Sequence, residues 1–488
     1  MHHFLVGIDL GTTGIRSAIL DENLEVLGEE YKEYPLITLS ASKIEQDANE
    51  WWEITRDVVK ASIMNSGADP ARIRGISVSS QGIAIVPVDK ECKPLRHAIS
   101  WLDTRAVDET RLILEKFNML DTYKKTGKRI SETYTLPKIM WIKNNEPDVY
   151  NRTYKFLLPH DFIIAKLCGV FATDHTMASG TLAYDINAQE WWTGIIKTFG
   201  IEVEKLPCIK YSGTPVGTVL PGLAGEMGLP GDVIVSVGGQ DQKCASLGAG
   251  ISEDVLTVSL GTATAIEKIF DYPAVDNAMR IPAFSYLFKG KWVMEGVIGT
   301  SGICLKWFKN AFFKDKSYKE LDNMAEETGS MPGSVFFYPF LSSSGSPGWY
   351  ENPKGCFYGI DLSTGAAGIA RSVLEGVAYQ VKSNILVMEE AGKAAGEIRL
   401  VGGGASSNLW CRIMANVTGK RVSTLYTPET ACVGAAILAG LGAGVFKNAE
   451  EALGKIRIKD VFECDKDLTA LYRQKFEEYV CMQERIMK

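Results

Sequence analysis

Near the start of the 488-residue chain, Asp9-Leu10-Gly11-Thr12-Thr13-Gly14-Ile15-Arg16 sets a carboxylate just ahead of a tight Gly/Thr turn. Such a turn exposes backbone N–H groups and hydroxyls that can wrap phosphate oxygens. The carboxylate could hold a hydrated Mg²⁺, which takes few protein ligands and shares those of nucleotide phosphates. Arg16 could add a charge-assisted contact. An ordinary hairpin that uses Thr for its strand preference is the plainer alternative. A second copy weighs against it: Ser259-Leu260-Gly261-Thr262-Ala263 repeats the pattern in the other half of the chain, with Ser259 in place of Asp9. Both halves could then offer a phosphate turn, but only the first a metal carboxylate. Neither copy is a P-loop, since G-x-x-x-x-G-K-[ST] does not occur.

Two further groups of residues could do chemistry. Val401-Gly402-Gly403-Gly404-Ala405-Ser406-Ser407-Asn408 follows an apolar run, so backbone can approach a flat ligand at a free helix N-terminus. A tight turn with a Ser or Asn cap would read the same way. Ser407 stands where a third glycine would be, which weakens a dinucleotide-binding reading. In Gly238-Gly239-Gln240-Asp241-Gln242, a carboxylate at the end of a buried strand points towards a cleft. It could serve as a general base, or merely cap a turn.

The elements that would position these groups follow from periodicity. Phe4 to Asp9 and Ile15 to Leu20 read as a hairpin, with a third strand from Val26. Trp52, Thr55, Val59 and Ile63 fall at helical spacing within Asn49 to Met64. Ile73 to Ser79 returns to strand, and Ala84 to Val88 is expected to continue the same sheet. Val233 to Val237, Leu256 to Leu260 and Ala265 to Ile269 are strands of the repeated unit. Duplication implies two similar domains with a site between them, 1–253 and 254–488. Leu341 to Gly348, rich in Ser and Gly, is expected as a surface loop near the cleft.

Composition excludes several classes. The length asks for two domains, and 46% hydrophobic with 23% charged residues is ordinary for a globular chain. A net charge of −7 offers no basic face for nucleic acid. Ten widely spaced cysteines, without any C-x-x-C, suggest reduced thiols and no zinc site. An acidic residue at position 9 arrives too early for a signal peptide. The uncharged stretch Ala431 to Phe446 is short for a membrane span and reads as a close-packed internal helix. The expected setting is cytoplasmic, with no membrane partner.

With these pieces in order, the chain resembles the FGGY carbohydrate kinases over essentially its whole length. Gly355-Cys356-Phe357-Tyr358-Gly359-Ile360 and Ile369 to Gly376 are similar to the C-terminal signature, departing at Gly368, where a polar residue is usual. Lys138-Ile139-Met140-Trp141-Ile142-Lys143-Asn144-Asn145 is similar to the N-terminal one, and Glu50-Trp51-Trp52 and Trp101-Leu102-Asp103-Thr104-Arg105 sit where such kinases place similar words.

The resemblance implies an α/β fold of two ribonuclease-H-like (actin-like ATPase) domains with ATP and sugar in the cleft. Carried over by position, Asp241 is the base that takes the proton from the sugar hydroxyl, and Asp9 orients Mg²⁺. Gly11, Thr12, Thr13, Arg16, Gly261 and Thr262 would hold phosphates; Gly403, Gly404, Ala405 and Asn408 would line the adenosine pocket. Gln81, Trp101, Asp103, Arg105, Tyr134 and Gln242 would bind the sugar. D-xylulose, giving D-xylulose 5-phosphate, is the first expectation, since the Trp101-x-Asp103-x-Arg105 word and the overall length look closest to the xylulose kinase branch, while Ser80-Gln81-Gly82 lacks the Arg-Glu pair of glycerol kinases, which argues against glycerol. Gln240 and Gln242 depart from the xylulose kinase branch. Ribulose, fuculose, gluconate, erythritol and glycerol therefore stay open, as does a catalytically silent sugar- and ATP-binding homologue. A chaperone's peptide-binding module and a regulator's basic helix-turn-helix are not expected, since neither is found in the residues after the second lobe or ahead of Phe4. Dimers are common among such kinases, but no surface stripe here argues for a homodimer independently.

Overall fold

The computed structural model describes residues 3–487. Phe4–Leu10 (β1) and Gly14–Asp21 (β2) form the expected hairpin, with Asp9 opposite Arg16, and Val26–Glu33 (β3) extends it. Ala48–Ser66 (α1) starts at Asp47, whose side chain accepts from the Asn49 N–H, and stops at left-handed Gly67. Its Trp51, Ile54 and Val58 are buried in the core beside the sheet. Ile73–Ser80 (β4) then runs parallel to β1, which brings Ser79 beside Asp9. Pro215–Thr218 (β5) and Ile234–Gln240 (β6) complete a sheet in the order β5-β6-β4-β1-β2-β3.

The stretch expected to continue this sheet leaves it. Val86–Val88 pairs instead with Lys155–Leu157 in a separate two-stranded piece. The reason is local: the Gln81 N–H donates to the Leu10 carbonyl, and the chain turns at Gly82 as β4 ends.

Asp241–Gly248 (α2) follows β6 directly. A second sheet begins with Val255–Leu260 (β7) and Thr264–Phe270 (β8), then Ala283–Ser285 (β9) and Trp292–Ile298 (β10). Gly302–Phe312 (α3) and Ala366–Glu390 (α4) precede Glu397–Val401 (β11), Asn408–Thr418 (α5) and Arg421–Leu425 (β12). Thr430–Gly442 (α6) and Ile458–Phe462 (β13) finish the set. The order is β9-β10-β8-β7-β11-β12-β13. Each sheet is built round one hairpin whose first strand has a parallel neighbour: β1–β2 beside β4, and β7–β8 beside β11. The repeated turns of the sequence are the tips of these two hairpins.

Helix α6 is the internal helix expected from the uncharged stretch, and no helix of the described residues is long and apolar enough to cross a membrane. Although it lies late in the chain, it packs on the first sheet and on α2. A side chain at Gly7 would meet the Cys432 carbonyl at 2.0 Å, and one at Gly434 the Cys244 carbonyl at 1.9 Å. Small residues are what let backbone meet backbone here, so the composition of α6 is a packing requirement. The segment 341–348 also differs from expectation. Ser344 and Ser346 are buried, and Ser346 Oγ donates to Asn384 Oδ1 while accepting from the Val297 N–H, so the loop is a strap fastened onto β10.

Candidate active site

Both hairpin tips are pinned by their carbonyls. In the first, Gly11 O accepts from Tyr34 Oη, Thr12 O from Gln46 Nε2 at 2.8 Å, and Thr13 O from the Tyr34 N–H at 3.0 Å. In the second, the N-terminus of α3 does the work: Gly302 N donates to Gly261 O at 2.9 Å and Ser301 N to Thr262 O at 3.1 Å. With the carbonyls turned inward, the N–H groups of Thr12, Thr13 and Thr262 have no protein acceptor among the described residues. Such unpaired donors on a fixed turn suit an anion.

Between the hairpins lie two carboxylates. Asp9, at the end of β1, accepts from Ser79 Oγ at 2.7 Å through Oδ1. Burial pushes its pKa up to about 6; the Ser79 bond works the other way, and the charge of Glu429 adds to the rise. Asp241, the first residue of α2, accepts from the Gln242 N–H at 2.7 Å and from Gln240 Nε2. Burial, then the negative charge of Asp9, pushes it up to about 8. Two interacting, partly exposed carboxylates form a natural seat for a cation, and no cluster of three or more His, Cys, Asp or Glu ligands exists among the described residues. That donor set fits Mg²⁺, which keeps most of its water, and not an all-protein cage.

A cavity of about 330 Å³ adjoins Asp241. Gln81, Trp101, Tyr134 and Gln242 line it, as does Thr12 of the first turn. Gln81 is held at both ends, donating to Tyr34 Oη at 3.3 Å and accepting from Gln46 Nε2 at 3.4 Å. Trp101 donates its indole N–H to Thr12 Oγ1 at 2.9 Å. Buried Lys138 donates to the carbonyls of Ser100 and Thr133, the residues preceding Trp101 and Tyr134, and its pKa is lowered to about 7 by burial.

Asp103 and Arg105 do not line this cavity. Arg105 makes a forked contact with Asp103, pairs with Glu45 at 2.8 Å and stacks over Trp141; Asp103 also accepts from the Ile44 N–H. These charges satisfy one another, so the pair braces the loop that carries Trp101. Arg16 is similarly spent: its guanidinium bridges Glu29 and Glu429, one from each half of the chain.

A larger cavity of about 820 Å³ opens beside the second hairpin, lined by Gly261, Thr262, Gly403, Gly404 and Asn408. Ala405 is not on this wall; it packs against the hydrophobic core behind it. Ser407 is the cap of α5, accepting from the Trp410 N–H at 3.0 Å, which leaves Asn408 free to face the cavity. Gly402 has φ +82°, and a side chain there would stand 2.9 Å from the Leu260 carbonyl. The strand-to-helix turn therefore needs glycine.

Sequence reasoning missed several lining residues. Phe284 and Glu295, from β9 and β10, close the smaller cavity; Lys306, Asp322 and Arg412 line the larger one. None sits in a turn motif: Phe284 and Glu295 lie on strands, and Lys306, Asp322 and Arg412 on three helices of the second half that only the fold brings together.

The model for the N-terminal domain of the FGGY family of carbohydrate kinases matches residues 4–248, and that for its C-terminal domain matches 256–443. A xylulose kinase of Bacillus subtilis (strain 168) is 31% identical over 451 residues, covering 92% of this chain and 90% of its own. A gluconokinase of the same strain is 28% identical, covering 90% and 87%. The solved structure of a ligand-bound xylulose kinase from Lactobacillus acidophilus has the same fold, with a TM-score of 0.92 at 22% identity over 99% of this chain and 98% of that one.

Proposed function

The chain belongs to the FGGY family of carbohydrate kinases, and we propose that it transfers the γ-phosphoryl of ATP to a hydroxyl of D-xylulose, giving D-xylulose 5-phosphate. ATP is the donor the family uses. The ketose is favoured by the 31% identity to a xylulose kinase over nearly the full length of both chains. What carries the reading at the site is one juxtaposition: Asp241 stands between a small cavity into which a few polar side chains converge and two hairpins with unpaired N–H groups.

In this reading the first lobe, residues 1–253, supplies the acceptor pocket, Asp9 and the first phosphate turn. The second, 254–488, supplies the other turn and the adenosine pocket at Gly403, Gly404 and Asn408. The acceptor lies against Trp101, Gln81, Tyr134 and Gln242. Asp241 orients its hydroxyl and takes the proton late, as the new phosphorus–oxygen bond forms. A carboxyl pushed up towards 8 is a better-matched base than an exposed one. Thr12, Thr13 and Thr262 hold phosphate oxygens through backbone N–H groups; the Gly261 N–H is spent on the Ala263 carbonyl at 3.1 Å, so that glycine shapes the turn. Asp9 would hold Mg²⁺, which supplies charge neutralisation on the transferring phosphoryl. Closing the lobes excludes water, which would otherwise compete with the sugar as acceptor.

The test is ADP release from ATP and Mg²⁺ over D-xylulose, L-xylulose, D- and L-ribulose, L-fuculose, erythritol, glycerol and D-gluconate, with Asp241→Asn as control. A response to D-xylulose that exceeds the others and vanishes in the variant supports the reading. Preference for another compound replaces the substrate, and no response to any of them favours a silent homologue.

A further inference from the structure

Glu267 and Glu295 stand directly opposite each other on β8 and β10. Like charges in that position destabilise a sheet, yet here Lys243 of α2 is inserted between them, 3.1 Å from Glu267 Oε1 and hydrogen-bonded to Glu295 Oε2. One lysine therefore serves two carboxylates. Glu267 is at 2% exposure and does not line the acceptor cavity, whereas Glu295 lines it from the second-lobe side, opposite the residues of the first lobe. The cavity wall also carries Gln240, whose Oε1 is buried without a hydrogen-bond partner, and Asp241. No lysine or arginine lines it among the described residues. The nearby Lys243 is occupied by its two glutamates, and Lys128 donates to the Ala283 carbonyl, with burial pushing its pKa well down.

We propose that Glu295 is a specificity-determining residue of the acceptor pocket: it accepts a hydrogen bond from a substrate hydroxyl, and with Gln240 Oε1 it admits an uncharged polyhydroxylated acceptor while turning away a sugar acid. This inference rests on the kinase reading and deepens it. The chemistry is one of matched polarity. A hydroxyl can donate to each of these oxygens, whereas an ionised carboxylate can only accept. A sugar acid would bring acceptors against acceptors, lose its hydration and find no cation on the wall. The inference separates two activities found among relatives of nearly equal identity, a xylulose kinase and a gluconokinase.

The test compares wild type with Glu295→Gln, which keeps shape but removes the charge, using the best neutral acceptor of the panel and D-gluconate. The expected result is a rise in KM for the neutral acceptor of about tenfold, with kcat changed less than about threefold, and a fall of at least about tenfold in the kcat/KM ratio of neutral acceptor to gluconate. Glu267→Gln, which touches the same lysine but not this cavity, should leave that ratio unmoved. If Glu295→Gln fails to fold, Lys243→Met with both Glu267→Gln and Glu295→Gln removes all three charges of the cluster, leaves no lone buried charge and gives the same readout. An unmoved ratio in the Glu295 variants, an equal shift in Glu267→Gln, or a wild type that phosphorylates gluconate as well as any neutral compound would overturn the proposal. If erythritol or ribulose displaces D-xylulose as best acceptor, the ketose assignment falls and this test proceeds on the new compound. If D-xylulose is the substrate and the ratio does not move, only the role of Glu295 falls.

Discussion

The indole N–H of Trp101 donates to Thr12 Oγ1 at 2.9 Å, so the wall of the acceptor cavity is fastened to the first phosphate turn. A ligand pressing on either one is felt by the other. Trp101→Phe keeps an aromatic face but loses the bond, and Thr12→Val loses it from the other end. Each should raise KM for the sugar about three- to tenfold, the value of one hydrogen bond. The double variant should cost little more than either single one, because both remove the same contact. Steady-state kinetics of the four proteins decide it; fully additive effects would mean the bond carries no coupling.

Arg105 is expected to matter through stability. It is almost fully buried against Asp103, Glu45 and the ring of Trp141. Arg105→Leu leaves buried Asp103 without the cation it forks, while Glu45 keeps Arg96; breaking such a buried pair typically costs about 3–5 kcal/mol. Arg105→Lys should recover only part of this, since an ammonium cannot make the planar fork. Denaturant melts measure both. A stable Arg105→Leu protein with a selective loss of sugar binding would instead return Arg105 to the pocket.

These two cases show what the sequence could and could not convey. The hairpin tips, Asp9 and Asp241 were legible because their chemistry is local: a strand ends, glycines turn, a carboxylate follows. Trp101 to Arg105 was legible as a word, but not as a division of labour. Asp103 and Arg105 are claimed by Glu45 and Trp141, partners that only the fold brings near. Glu295 lies mid-strand with no punctuation round it, and its place follows from β10 facing α2. The docking of α6 on the first sheet was equally hidden, because an Ala/Gly-rich run records close packing without naming its partner.

Gly402 tests the nucleotide side. At φ +82° and 2.9 Å from the Leu260 carbonyl, an added methyl is opposed by both the backbone and the neighbouring strand. Gly402→Ala should lose about 1–3 kcal/mol locally and displace Gly403, Gly404 and Asn408 from the larger cavity. The expected signature is weakened ATP protection in a thermal-shift titration, with sugar protection retained. Equal loss of both would place the damage in the fold as a whole.

The carboxylate pair sets the last prediction. Asp241 is raised from 3.8 to about 8 by burial and by Asp9. A group whose folded pKa is raised stabilises the protein fully below its unfolded value and loses that contribution as pH rises through the folded one. Ionising Asp241 should therefore burden the ligand-free protein progressively from about pH 4 to pH 8. Asp241→Asn cannot ionise, so it should melt above wild type by a margin that is narrow at pH 5 and widest above pH 8, reaching a few degrees. Part of the shift comes from Asp9, which is itself raised to about 6. In an Asp9→Asn background that part disappears, and the margin gained by adding Asp241→Asn should shrink. Thermal melts of the four proteins from pH 5 to 9 measure this directly. A margin that does not grow with pH would remove the raised pKa of Asp241, and a margin indifferent to Asp9 would assign the whole shift to burial.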